Sequence, residues 1–196
     1  MREEVNNFKR GRIIEVASHL FYERGFVGTT IDAIAEQLSV TKPFVYQFFK
    51  SKHEILAALI GHEIESVIKL LDEAYSEALS PEERLSRFVK AWVRKNVEMR
   101  KIVVIFWQEQ NHFTPEMQEE SRNLQKTLNG RLAELIEDGV KAGVFNVGNP
   151  TLSAFALTGI LQWIPRWYRP EGVLDVNQIA DYFADIALRV VGVRSS

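Results

Sequence analysis

The chain has 196 residues, enough for one large or two small domains, with 46% hydrophobic and 26% charged residues. That profile is globular rather than disordered, and the absence of cysteine excludes disulfides, thiolate metal sites and cysteine nucleophiles. The formal net charge of -2 supplies no bulk positive field for nucleic acid. Residues 1–50 hold seven Lys/Arg against six Asp/Glu, the remainder seventeen against twenty. Arg2, Lys9, Arg10 and Arg12 form only a short basic arm. The N-terminal MREEVNNFKRGRIIEVASHL has no signal-peptide core. No window reaches the roughly 18 apolar residues of a membrane span, which points to a cytoplasmic location.

Apolar positions recur at steps of three and four without sustained strand alternation, so the fold class is all-α, with about nine helices. The first helix covers about 8–24 and stops at Gly25. Thr30 caps a helix over 31–38, and Thr41 one over 42–48. Ser51-Lys52-His53-Glu54 is a capping box opening a helix over 52–79. Ser80-Pro81-Glu82-Glu83 combines a cap, a first-position proline and a reciprocal glutamate. From there 81–98 and 100–112 form either one kinked helix or two. Thr114-Pro115 opens a helix over 115–142 that ends at Gly143 as a left-handed cap. Asn149-Pro150 opens one over 150–168, and the last covers 176–192. Pro165 removes a backbone bond and is expected to kink its helix near the end. The division that results is a three-helix unit at 1–52 and a larger helical domain at 53–196, sharing the 52–79 helix as a rigid connection.

Residues 29–52 read TTIDAIAEQLSVTKPFVYQFFKSK, two helices too short to be stable alone on either side of a turn at Ser39-Val40. Ile31, Ile34, Ala35 and Leu38 make one buried stripe, which Val45, Phe48 and Phe49 close. Ile13, Ala17, Leu20 and Phe21 supply the third wall. This is the helix-turn-helix arrangement, whose second helix enters the major groove. Thr30 and Thr41 stand at helix starts suited to phosphate oxygens. Lys42, Tyr46 and Gln47 project outward, Lys52 opens the next helix, and Pro43 and Phe44 are expected to be exposed for contact with thymine methyls or sugars.

Residues 10–56, with the stretches LFYERGF, TT, IAEQLSVTK and VYQFFKSKHEIL in register, resemble the N-terminal domain of the TetR family of bacterial repressors. The resemblance implies that Thr30, Tyr46 and Lys52 contact phosphates and that Thr41, Lys42, Pro43, Phe44 and Gln47 read bases. A smaller residue is commoner in that family where Phe44 stands. It further implies a homodimer joined through its last two helices, enclosing an effector pocket and binding a palindromic double-stranded operator.

Stripes on the last two helices fit such pairing: Leu152, Phe155, Ala156, Gly159, Ile160 and Trp163, then Ile179, Tyr182, Phe183, Ile186 and Val190. Four such helices would form a bundle across a two-fold axis, and two reading heads must reach half-sites roughly 34 Å apart. Candidate effector-binding residues fall in two clusters. Trp92, Asn96, Arg100, Trp107 and Asn111 form one, with Phe106 and Gln110 nearby; Trp163, Arg166, Trp167 and Arg169 form the other, with Tyr168. WIPRWYRP with DVNQIADYFADIALRVVGV resembles the TetR branch that regulates acyl-CoA catabolism and is released from DNA by CoA thioesters. Arginines beside aromatic walls suit an acyl chain with a phosphate-bearing head.

Nothing nominates a catalyst or a cofactor. There is no G-x-S-x-G, P-loop or glycine-rich dinucleotide turn. Glu109 and His112 make a single ExxH, whereas a di-iron bundle needs a second copy and two more glutamates, so no metal site is expected. The open alternatives are a helical ligand-binding or scaffold protein without DNA binding, and a TetR-type regulator of a drug-like or aromatic effector.

Overall fold

The computed structural model describes residues 2–76 and 78–193. Among these the backbone is helical and has no strand: α1 (Arg2–Gly28), α2 (Ile31–Gln37), α3 (Lys42–Tyr46), α4 (Lys52–Ser76), α5 (Pro81–Glu98), α6 (Arg100–Glu109), a 3₁₀ turn at Gln110–His112, α7 (Pro115–Lys141), α8 (Pro150–Trp167) and α9 (Val176–Val190). The all-α expectation of about nine helices therefore holds. No described helix is long and apolar enough to cross a membrane.

Several boundaries differ from the sequence reading for local reasons. The first helix begins at Arg2, earlier than expected, and its helical geometry stops at Gly25, with φ 75° and ψ 166°, before a short further turn to Gly28. The stretch 81–112 is two helices and a 3₁₀ turn, broken at Met99. At the end of α2, Ser39 takes φ 56°, and the Val40 N–H donates back to the Ala35 carbonyl. That left-handed closure usually falls to glycine, and here it sets the turn between α2 and α3.

The chain forms two compact units that do not follow it linearly: residues up to Glu63 with Lys101–Arg122, and Ile64–Arg100 with Asn123 onward. In the first unit Ile13, Ala17, Leu20 and Phe21 of α1 are buried with Ile31, Ile34 and Ala35 of α2 and Val45 of α3. Leu38 and Phe48 stay half-buried at the edge of this core. In the second unit α5 packs along α9 and α8, burying Leu85, Phe88, Val89, Trp92 and Val93 against a core that includes Leu157, Leu161, Ile164, Ala180 and Ala184. Its helices start at well-made caps: Ser80 with Glu83 for α5, Asn149 for α8 and Asp175 with Gln178 for α9. After α7 the chain turns back at Gly143, with φ 74°. Phe145 then folds over Gly139, where any Cβ would overlap its ring.

Candidate nucleic-acid interface and effector site

The outward side of α3 is where the sequence-predicted DNA residues gather, but they are not equivalent. Thr30 and Thr41 are both exposed N-caps. The Thr30 hydroxyl accepts from the Ala33 N–H at 3.1 Å, whereas Thr41 makes no capping bond and keeps its hydroxyl for other partners. Pro43, Tyr46 and Gln47 are exposed along the same side. Lys42 is not free: its ammonium sits 2.7 Å from Asp32 on α2, and the Asp32 carboxylate holds it above the ordinary lysine range. Phe44, expected to be exposed, is half-buried, packed against Phe48 at 5.3 Å with Lys9 over its ring at 5.7 Å. The rest of the basic arm is also engaged. Arg10 lies over the Phe49 ring at 4.5 Å and Arg12 pairs with Glu15, while the Arg2 side chain lies outside the described residues.

Lys52 takes a different role from the one its position suggests. Its ammonium donates to the carbonyls of Phe26 at 2.7 Å and Thr29 at 3.0 Å and lies 4.4 Å from the Phe26 ring centre. Partial burial pushes its proton affinity down. Unpaired carbonyls at a helix end carry partial negative charge and favour a cation. Lys52 is therefore a staple between the start of α4 and the end of α1, with its donors turned toward the backbone.

Four of the candidate effector residues also serve the backbone or the core. Pro165 sits inside α8 and has no N–H, which leaves the Leu161 carbonyl, four residues earlier, without its helical partner. Asn96 on α5, itself buried, donates to that carbonyl at 3.0 Å. At the end of α8, Arg100 and Arg169 both donate to the Tyr168 carbonyl at 3.0 Å, and Arg169 reaches the Arg166 carbonyl as well. Trp92 is core, 5.4 Å from Phe88. All four thus have partners within the second unit. The helix runs through Pro165 and ends two residues later, at Trp167.

Trp163, Arg166 and Trp167 are exposed on α8. Arg166 covers the Trp163 ring at 4.6 Å, and Trp167 stacks on Phe183 of α9 at 6.2 Å. They prolong the stripe of Leu152, Phe155, Ala156 and Gly159, all exposed, with Ile160 partly so. On α9 Tyr182 is exposed and Phe183, Ile186 and Val190 are half-buried beside it. Ile179 is 3% exposed within the single chain, so it belongs to the subunit's own core and not to this face. A Cβ added at Gly159 would touch nothing in its own chain.

In the first unit Trp107 is partly exposed, and Asn111 lines a cavity of about 200 Å³ with Phe106, Gln110, Phe113, Gln118 and Arg122. Gln118 and Arg122, on the first turns of α7, carry no periodic or motif signal in the sequence. Close by, the ExxH pair meets a third group, His53 of α4.

Residues 78–191 match the family model described as Tetracyclin repressor-like, C-terminal domain, and residues 13–59 match that for bacterial regulatory proteins, tetR family. The chain is 25% identical to the HTH-type transcriptional repressor KstR2 of Mycobacterium tuberculosis, over 93% of this chain and 92% of that protein. It is similar in fold to the TetR family transcriptional regulator PfmR of Thermus thermophilus, with TM-score 0.77 and 30% identity, covering 91% and 97% of the two chains. AibR, solved in complex with isovaleryl coenzyme A and operator DNA, gives TM-score 0.73 at 25% identity, covering 90% of this chain and 96% of AibR.

The pairing of Asn96 with the carbonyl freed by Pro165 can be measured by a double-mutant cycle. Asn96→Leu leaves a buried acceptor unpaired, at a cost of about 1–3 kcal/mol. In a Pro165→Ala background the restored N–H reaches Leu161 itself, so the same change should cost clearly less. Equal costs in the two backgrounds, read by denaturant unfolding, would show that Asn96 stabilises the protein by some other route.

Proposed function

The chain belongs to the TetR family of bacterial regulatory proteins, and from that premise we propose that it is a homodimeric repressor, reading a palindromic operator with α3 and released by an acyl-CoA. The working division is a reading head at 1–52 and an effector and dimerisation domain at 53–196. The observation that carries the reading is the outward side of α3. Thr41, Pro43, Tyr46 and Gln47 stand exposed there on a helix whose other face, at Val45, is fully buried. Lys42 joins them when a phosphate or base competes with Asp32 for its ammonium. Lys52 contributes by holding the corner rather than by touching DNA.

Pairing through α8 and α9 is supported by the exposed apolar face from Leu152 to Trp167, by Tyr182, and by Gly159. A glycine inside a helix costs roughly 0.5–1 kcal/mol relative to alanine. Its own chain leaves room for a side chain, so close approach of a partner helix is the reason for its small size.

For the effector, the cavity at Asn111 has a phenylalanine wall, three amides and the Arg122 guanidinium. At about 200 Å³ it falls below the roughly 300–1,000 Å³ of pockets for drug-sized ligands. It suits a short acyl tip, with Arg122 at hand for a phosphate-bearing head. The AibR complex with isovaleryl coenzyme A supports the same ligand class.

Three measurements test this reading. With DNA from upstream of its own gene, Tyr46→Ala and Thr41→Ala should weaken binding, whereas Gln47→Ala should alter preference among site variants. Wild-type affinity in both alanine variants at several salt concentrations would remove α3 from the interface. Gly159→Leu should stay folded yet run as a monomer in light scattering, and an intact dimer would exclude this face. Short acyl-CoAs should quench tryptophan fluorescence and release the operator, less so after Arg122→Ala. No quenching and no release at any chain length would exclude acyl-CoA as the effector.

A further inference from the structure

Glu109 and His112 lie one turn apart where α6 passes into the 3₁₀ turn, and His53 stands in the first turn of α4, all within the first compact unit. Glu109 Oε2 is 3.5 Å from His53 Nε2 and 3.6 Å from His112 Nδ1. One candidate ligand atom from each of the three lies within 4.8 Å of the others. We propose that His53, Glu109 and His112 form a binding site for a divalent transition-metal ion of the zinc class, with water in the remaining position. This goes beyond the regulatory reading and does not depend on it.

The spacing argues for an ion rather than a proton between these groups. A charge-assisted N–H···O bond brings its heavy atoms to about 2.7–2.9 Å, and both Glu109 distances are well beyond that. Metal–ligand bonds of about 2.0–2.1 Å in a tetrahedron put neighbouring donors roughly 3.3–3.4 Å apart, close to the two Glu109 edges. The remaining edge, between the two histidines, lies within 4.8 Å. It closes by a movement of His112, whose side chain is two-thirds exposed at the corner of the turn. Two imidazoles and one carboxylate are the donor set of a three-ligand zinc site, whereas calcium and magnesium take oxygen donors.

The surroundings hold two of the three ligands in place. The half-buried His53 ring sits 4.8 Å from Phe26 and 6.4 Å from Phe113, both buried. Glu109 is also largely covered, and the exposed His112 leaves a path for entry. The Lys52 ammonium, close enough to Glu109 to feel its charge, is pinned on the carbonyls of Phe26 and Thr29. A dication therefore meets a neighbouring positive charge, and the expected affinity is micromolar rather than that of a buried structural zinc. Once bound, the ion ties the start of α4 to the end of α6.

The test uses the full-length protein, stripped with a chelator and titrated with zinc alone. One zinc per chain should bind, and the thermal midpoint should rise with it. His112→Ala and Glu109→Gln should each weaken binding by about tenfold or more. Because His112 is exposed, its variant should match the metal-free wild type in circular dichroism and thermal midpoint. Two results would overturn the site: no stoichiometric zinc at micromolar concentrations, or zinc binding undiminished in both variants, which would put the ion at His19, His62 or elsewhere.

Discussion

The reading surface exists only because tertiary packing holds it. Helices α2 and α3 have seven and five residues, well below the roughly 12–15 at which an isolated helix becomes even marginal in water. Their geometry is therefore borrowed from what they pack on. Ile34 and Ala35 are buried together with Val45 and Phe49, and with Ile13 and Ala17 of α1. Lys52 closes the corner by bonding the first residue of α4 to the end of α1. Salt screening touches an exposed ion pair far more than a partly buried cation held by carbonyls. The staple should therefore persist under conditions that loosen Lys42 from Asp32.

The second unit solves a different problem, how to keep a proline inside a buried helix. Pro165 is buried and α8 runs through it, so the carbonyl it frees has no water to turn to. An unpaired buried acceptor costs about 1–3 kcal/mol. Asn96 supplies the missing donor from α5, and Arg100 with Arg169 supplies donors for the carbonyls at the end of α8. Further polar links tie α8 to α7, from Thr158 to Asn129 and from Gln162 to Gln125. The position of α8 is thus set by directional bonds on two sides in addition to apolar contact.

These bonds explain which features are legible in the sequence. Helix number and order follow from apolar periodicity and proline-marked caps, both local signals, and the structure keeps them. The break at Met99 is less legible, because neither glycine nor proline marks it. Side-chain roles escape the sequence where a polar group answers a distant backbone atom. Asn96 and Leu161 are 65 residues apart, and an asparagine near tryptophans reads equally well as a ligand contact. Lys52 is obscured for the same reason, since its partners lie more than 20 residues back. The Ile179 stripe continues without interruption into the exposed face, and periodicity alone cannot say which side of α9 the subunit covers first.

The two faces of α8 carry different demands. Ala154, Leu157, Leu161 and Ile164 point into the subunit, while Leu152, Phe155, Gly159 and Trp163 point away from it. A helix covered on one side and apolar on the other cannot be displaced on its inner side without displacing its outer one. Any effector response that slides α8 along α5 must therefore break or re-form the bond between Asn96 and the Leu161 carbonyl. The cost of that bond, about 1–3 kcal/mol when the acceptor is left unpaired, matches the coupling free energies of about 1–3 kcal/mol typical of allosteric proteins. Pro165 makes that bond decisive. With any other residue there the carbonyl would be satisfied within its own helix, and α8 could shift relative to α5 without this penalty.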